Sequence, residues 1–230
     1  GGILQGDFGE SIYFHKPVLQ VIAGRAEPTL LLTVLSASIV ALLGISIGTI
    51  SAVKYGTLAD QSLTGAAIFS AAIPSFWLGM VFIMIFGVIL GWFPTSGYEP
   101  IVEGNLAFSL YHLILPAFCL GIPNSALVIR VTRSTMLDEM NKDYLRTLRA
   151  KGLRESVVVL RHALRNSLVP ILTVIGLTVA ILIGGAVVTE NVYAIPGLGR
   201  LVVQSVLRRD FPVIQGVVMM TAFVFLFINL

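Results

Sequence analysis

Charge is what this chain has least of. Only 12% of its 230 residues are Asp, Glu, Lys or Arg, where a soluble domain carries about 25%. There is one cysteine, Cys119, inside an apolar run. No disulfide can form within the chain, no Cys/His metal cluster can be assembled, and a small packing residue is its expected role. The histidines, His15, His112 and His162, are far apart, and no Ser/His/Asp arrangement with a recognisable signature occurs. No G-x-x-x-x-G-K-[ST] loop is present, which excludes ATP hydrolysis by that route. The basic residues flank apolar runs and lack an aromatic stacking platform, which argues against nucleic acid. These absences leave no catalytic residue, cofactor-binding residue or metal ligand to assign within the chain.

What is present is oil. Hydrophobic residues make up 56% of the chain, and mean hydropathy is +0.92. A bilayer-crossing helix needs about 20 mostly apolar residues, and five stretches qualify or nearly do: 29–53, 64–91, 111–129, 167–189 and 213–230. None holds Asp, Glu, Lys, Arg or a mid-span His. In lipid the backbone must satisfy its own hydrogen bonds, so these read as helices. The alternating segments of about ten residues that mark a membrane barrel are missing. The expected fold is an all-α, polytopic transmembrane helix bundle. An external segment, 1–28, precedes a membrane domain, 29–230.

Small residues run through the spans. Gly44 and Gly48 form a G-x-x-x-G pair, and Gly184 and Gly185 sit in the fourth stretch, all read as points of close helix approach. Pro74, Pro116 and Pro123 lie inside the second and third stretches. Each removes a helix hydrogen bond and is expected to bend its helix.

Orientation follows from Lys and Arg near the span ends. Nine of the fifteen basic residues lie in 130–166, which is therefore expected to be cytoplasmic. Residues 92–110 have no Lys or Arg and carry Trp92, Phe93 and Tyr98 as interface anchors, so they are expected outside. Alternation puts 54–63 and Leu230 inside and the first 28 residues outside. Segment 190–212 falls outside although it holds Arg200, Arg208 and Arg209. An external start at Gly1, without Met or signal peptide, leads to the expectation of a longer chain whose first span precedes this sequence.

The basic loop has order of its own. Tyr144, Leu145 and Leu148 recur at helix spacing among Arg146, Arg149 and Lys151. Gly152 then interrupts, as a helix C-cap or tight turn does. Leu153, Val157, Leu160 and Leu164 form a second apolar stripe beside Arg154, Arg161 and Arg165. The pattern is helix, glycine turn, helix, with Pro170 expected in the first turn of the next membrane helix. A basic amphipathic segment lying on anionic lipid is one reading. A docking element for a cytoplasmic partner is the other, and only the second has a use for a glycine elbow at the centre.

The text "DYLRTLRAKGL…VVVLRHALRNSLVPILT" resembles the cytoplasmic signature loop of integral membrane permeases of binding-protein-dependent ABC importers, in the dipeptide/oligopeptide/nickel branch. "GDFGESI", "IPSFWLGM", "LILPAFCLG", "VIRVTRSTMLDEM" and "TENVYAIPGLGRLVVQSVLRRDFPVIQG" extend the resemblance from about Gly6 to the end. The general signature of that class has a Glu-Ala-Ala triplet, a glycine four residues later and a Leu-Pro near its end. Here Arg146, Thr147 and Leu148 occupy the triplet and Arg165 the proline position, departures that the "RAKG" and "HALRN" branch shares; Gly152 matches.

The resemblance implies a type I ABC importer permease fold. It implies a second homologous permease, two cytoplasmic ATP-binding subunits that bind ATP–Mg, and an extracytoplasmic solute-binding protein, all in the cytoplasmic (inner) membrane of a bacterium or archaeon. It places Arg149, Ala150, Lys151 and Gly152 at the contact with the ATPase, with Leu153 and Tyr144 supporting them. Di- or oligopeptides are the favoured substrates, with nickel chelates or glutathione as alternatives. In the external segment, Pro196, Gly197 and Gly199 make a turn before a short helix. One reading of it is a structural cap over the pore. The other is a gate or binding-protein dock, with Arg208, Arg209 and Asp210 at the contact and 7–16 part of the same rim. An ion-coupled transporter or channel would carry ionisable groups mid-membrane, and a membrane enzyme a catalytic cluster at that depth.

Overall fold

The structure, a computed structural model, describes residues 8–101 and 105–228. Asp7 and Leu230 lie outside the described residues. Among those described there are nine α-helices, α1(Val18–Val53), α2(Leu58–Ala72), α3(Ser75–Phe82), α4(Leu106–Met140), α5(Asp143–Ala150), α6(Glu155–Val157), α7(Leu164–Val192), α8(Leu198–Arg208) and α9(Phe211–Ile228). Two π-helical stretches, Ile83–Ile89 and Val158–Ala163, follow α3 and α6 directly.

Among the described residues three apolar helices are long enough to cross a membrane: Val18–Val53, Leu106–Met140 and the continuous run Glu155–Val192. At 1.5 Å per residue, 35 residues rise roughly 52 Å, well beyond a hydrocarbon layer of about 30 Å. Hydropathy therefore located the oily centre of each helix but not its ends, where Arg25, Glu27, Arg133 and Glu139 remain helical. The second expected span is a broken pair, α2 and α3, bent by 100°. The break falls at Ile73, extended at φ −82°, ψ 125°, because the ring of Pro74 bars the preceding residue from the helical region. Pro116 and Pro123 do not interrupt α4. Pro170, expected in a first helical turn, lies in the helix interior, because the second half of the basic loop merges with the membrane helix instead of stopping before it.

The chain divides into two compact units. One comprises residues 37–73 and 121–178. In it Gly44 and Gly48 of α1 face α4, and a Cβ on either would lie 2.7 Å from Val128 Cβ or 2.5 Å from Thr132 Cβ. The G-x-x-x-G pair is thus a close-approach surface within the chain. In the same unit the turn between α1 and α2 is tied to α4 by Asp60 and Arg133. Nε and Nη2 of Arg133 donate to the two carboxylate oxygens at 2.7 and 2.8 Å, and Ser51 Oγ and Gly56 N–H donate to the same carboxylate.

The other unit comprises residues 8–36, 74–120 and 179–228 of those described. Its core brings Val18 and Ile22 of α1 against Leu198 and Leu201 of α8 and Val213 and Val217 of α9. Gly185 approaches Leu120 closely, whereas Gly184 meets nothing within 4 Å and lines an apolar cavity of about 530 Å³ with Ala180, Val187, Leu198 and Phe225. In both units large apolar side chains such as Val34, Leu42, Phe69, Val88 and Val169 are exposed, as lipid-facing residues are.

Candidate functional site

The basic loop folds as helix, turn, helix. Helix α5 ends in a Schellman motif. Gly152 N–H donates to Arg149 O at 2.9 Å, and Leu153 N–H to Leu148 O at 3.3 Å. Gly152 sits at φ +79°, and an added Cβ would meet nothing within 4 Å. Glycine is needed here for its backbone conformation, not for space. Leu148 and Leu153 both pack on a small core of Met136, Leu145, Val158, Val159 and Ala163. Lys151 and Gly152 form the exposed tip.

The second apolar stripe differs from its expected register. Val158, Val159 and Ala163 are buried, while Leu160 is 60% exposed. The cause is the π-helical stretch Val158–Ala163, whose i→i+5 bonding adds a residue to the turn and shifts the inward face.

Arg149 does not point freely from the tip. Its guanidinium donates to both carboxylate oxygens of Glu155, the first residue of α6, at 2.9 to 3.3 Å. The pair clasps the two sides of the elbow and raises the arginine pKa further. Tyr144 stands at the other end of α5. Its hydroxyl donates to Glu139 Oε1 at 2.5 Å and accepts from Asn166 Nδ2 at 2.8 Å. Burial and the Glu139 carboxylate push the phenol pKa up, so the hydroxyl keeps its proton and remains a donor. Lys142 Nζ lies 2.5 Å from Glu139 Oε2, which raises the lysine pKa. Ala150 is exposed and Leu153 half-buried.

Segment 190–212 is organised around two carboxylates. Glu190, fully buried near the end of α7, accepts from Thr29 Oγ1 at 2.6 Å and from the backbone N–H groups of Gly199 and Arg200. Leu198 N–H donates to Thr29 Oγ1 at 2.8 Å. The carboxylate thus caps the N-terminus of α8, where unpaired N–H groups and the helix dipole favour negative charge. Gly197 and Gly199 follow from this. A Cβ at Gly197 would overlap the Glu190 carboxylate, and one at Gly199 would reach 3.0 Å from the backbone nitrogen of Val187.

Asp210 is the second centre. It is 1% exposed and accepts from Ser11 Oγ and from the backbone N–H groups of Ile12 and Tyr13. Gly197, Gly199 and Asp210, which the gate or dock reading places at or beside the contact, are all buried, since each is used inside the chain. Pro196 is half-buried. Arg208 and Arg209 are exposed, with the Arg208 guanidinium 3.6 Å from the centre of the Tyr13 ring and Arg209 at φ +57°.

Residues 44–230 match the family of binding-protein-dependent transport system inner membrane components. The chain is 43% identical over 224 residues to the oligopeptide transport system permease protein AppB of Bacillus subtilis (strain 168), covering 96% of this chain and 71% of that protein. It is 45% identical over 228 residues to the glutathione transport system permease protein GsiC of Pectobacterium atrosepticum, covering 99% and 72%. The chain belongs to this permease family. A solved inward-facing structure of the MetNI methionine ABC transporter has the same fold, with a TM-score of 0.74, 18% identity, and 91% of this chain and 92% of that one covered.

In this permease, sequence reasoning passed over Glu139, Asn166, Glu155, Asp60, Arg133 and Glu190. Each is a polar residue inside or beside an apolar run, the one available signal that it has a partner; for Glu139, Asp60 and Glu190 burial makes that partner a requirement. Asp210 gives a measurable consequence. Burial alone would raise its carboxyl pKa, but the Ser11 hydroxyl and the N–H groups of Tyr13, Ile12 and Val213 outweigh it and hold the value low. A carboxyl held low in the folded state stabilises it fully above the ordinary Asp value of about 3.9, and that contribution is lost as the pH falls through the native value. Asp210→Asn should therefore lower the thermal midpoint in detergent at pH 7. The gap to wild type should close as the pH falls below the ordinary Asp value and on through the lower native one. A gap independent of pH would contradict this.

Proposed function

We propose that this permease carries short peptides, glutathione among them, through the cytoplasmic membrane of a bacterium or archaeon, driven by ATP hydrolysed in a separate subunit. The observation that carries the proposal is the Schellman elbow at Gly152, with an exposed Lys151–Gly152 tip on a helix clasped at both ends. A lipid-bound helix has no need of that construction; a lever seated in a groove on an ATPase does. Residues 130–166 face the cytoplasm in this reading, and Ala150, Lys151 and Gly152 meet the ATP-binding subunit, with Leu153 supporting the turn from within. Arg149 and Tyr144 hold the lever's shape. The chain itself contributes no catalytic group, cofactor or metal; ATP–Mg is held by two cytoplasmic partners. A second homologous permease completes the pathway, and an external solute-binding protein delivers the peptide. The peptide assignment is supported by the oligopeptide and glutathione relatives.

The test is uptake by the reconstituted complex in lipid vesicles, with labelled dipeptide, oligopeptide and glutathione compared. An L-residue in the left-handed conformation costs about 1–2 kcal/mol, and a β-branched one more. Gly152→Val should cut uptake about tenfold, the effect of some 1.4 kcal/mol, while the chain still inserts and ATP hydrolysis continues. Gly152→Asn should be milder, because Asn tolerates this conformation. Normal uptake by Gly152→Val would remove the coupling assignment.

A further inference from the structure

The base of α5 holds a polar cluster that nothing in the elbow itself requires. Glu139 is the penultimate residue of α4, Lys142 is the N-cap of α5, Tyr144 lies in its first turn, and Asn166 belongs to α7. Glu139 is 6% exposed, yet it collects three donors: Tyr144 Oη at 2.5 Å, Asn166 Nδ2 at 3.2 Å and Lys142 Nζ at 2.5 Å. Asn166 Nδ2 also donates to Tyr144 Oη at 2.8 Å. The glutamate, phenol and amide therefore close a triangle that joins three helices at the point from which α5 projects. A few residues further on, Leu145 is fully buried between Met136 and the π-helical turn.

A single turn of chain, residues 141–142, connects α4 to α5 and by itself would leave the angle between them free to vary. One apolar anchor, Leu145, allows rotation about itself. A hydrogen-bonded triangle with a buried carboxylate at its apex does not, because turning α5 pulls the phenol off a charged acceptor and leaves Glu139 with too few donors, and hydrogen bonds to charged groups are the strong ones.

We propose that Glu139, Tyr144 and Asn166 are positioning residues that set the angle of α5 to α4 and α7, so that movement of the elbow tip is passed to the membrane helices instead of being absorbed at a loose joint. This rests on the coupling reading above for its purpose, but not for its measurement.

The angle can be measured by pulsed electron–electron distances between spin labels at Lys151 and at Ser134, an exposed position on α4, in a Cys119→Ser background. Tyr144→Phe removes one oxygen and keeps the ring. Glu139→Gln keeps the shape and removes the charge, and Asn166→Ala removes the third corner independently. In the assembled complex, each should broaden or shift the distance distribution relative to wild type. Each should also lower solute uptake per ATP hydrolysed. A drop of roughly tenfold is expected for Tyr144→Phe, the population change that follows when a charge-assisted hydrogen bond is lost. Lys142→Ala, which removes the third donor but leaves the triangle's own hydrogen bonds, should shift the distances less than any corner variant. Distance distributions unchanged in all three corner variants would overturn the proposal, whatever happened to uptake. Broadened distributions with an unchanged uptake-to-hydrolysis ratio would overturn the transmission role. If the wild-type complex took up no peptide on ATP, the functional reading would fall while the distance measurements still decided whether this triangle sets the helix angle.

Discussion

Glu190→Ala is expected to be among the most damaging single substitutions in this chain. The carboxylate is fully buried and forms no ion pair among the described residues, and the guanidinium of Arg200 donates instead to Ala194 O at 2.6 Å. An isolated buried carboxylate is costly. This one is held by a hydroxyl and two backbone N–H groups at the positive end of α8. Alanine would strand all three donors away from water. Each unsatisfied buried donor costs about 1–3 kcal/mol, so a loss of roughly 3 kcal/mol or more is expected. Glu190→Gln keeps one acceptor but turns an amide N–H₂ towards backbone N–H groups, and should fall between alanine and wild type. Thermal unfolding in detergent, followed by tryptophan fluorescence, would check the order wild type, Gln, Ala. A Glu190→Ala protein that melts with wild type would show that the α8 N-terminus is capped some other way.

The second large effect is expected in the other unit. Leucine at both Gly44 and Gly48 should prevent α1 from closing on α4. A Cβ alone would stand 2.7 Å from Val128 Cβ, 2.5 Å from Thr132 Cβ and 2.8 Å from the Ile129 carbonyl oxygen. The carbonyl oxygen is backbone and cannot rotate aside. Overpacking costs typically about 1–3 kcal/mol per site, and here relief requires separating two helices whose contact in lipid depends on close packing of small residues. The separation would also pull on the Asp60–Arg133 tie, which joins α4 to the first turn of α2 and, through Ser51, to α1. The double variant should yield little monodisperse protein by size-exclusion chromatography, with alanine at Gly44 alone less severe. Wild-type yield and melting from the double leucine variant would mean that this helix pair can be spread without cost.

Much of the architecture was legible before any coordinates. Apolar runs marked the membrane helices because burial in lipid is a local property of some 20 consecutive residues. Helix ends were misplaced for the same reason: Arg25, Glu27 and Glu139 stop an apolar run without stopping a helix. Pro74 was read as a bend and is a full break, while Pro116 and Pro123 leave α4 continuous. Leu160 was assigned inward on an α-helical period and faces out, because the π-helical turn changes the period where no residue announces it.

The sequence by itself determined that the chain is a membrane helix bundle, which loop carries its positive charge, and that this loop turns at Gly152. Hydropathy, charge placement and turn chemistry act over a few residues and so are written in order along the chain. Only the tertiary structure decided what the buried polar groups do. Asp210 and Ser11 are 199 positions apart, and Thr29 and Glu190 are 161 apart. Glu139, Tyr144 and Asn166 come from three different helices. A polar side chain taken out of water must find a partner, but which partner depends on the packing of whole helices. That is why the residues of "YAIPGLGR" leave a structural cap and a dock both open, while the structure shows an internally capped turn, and why the glycine elbow of the basic loop is legible from its own few residues.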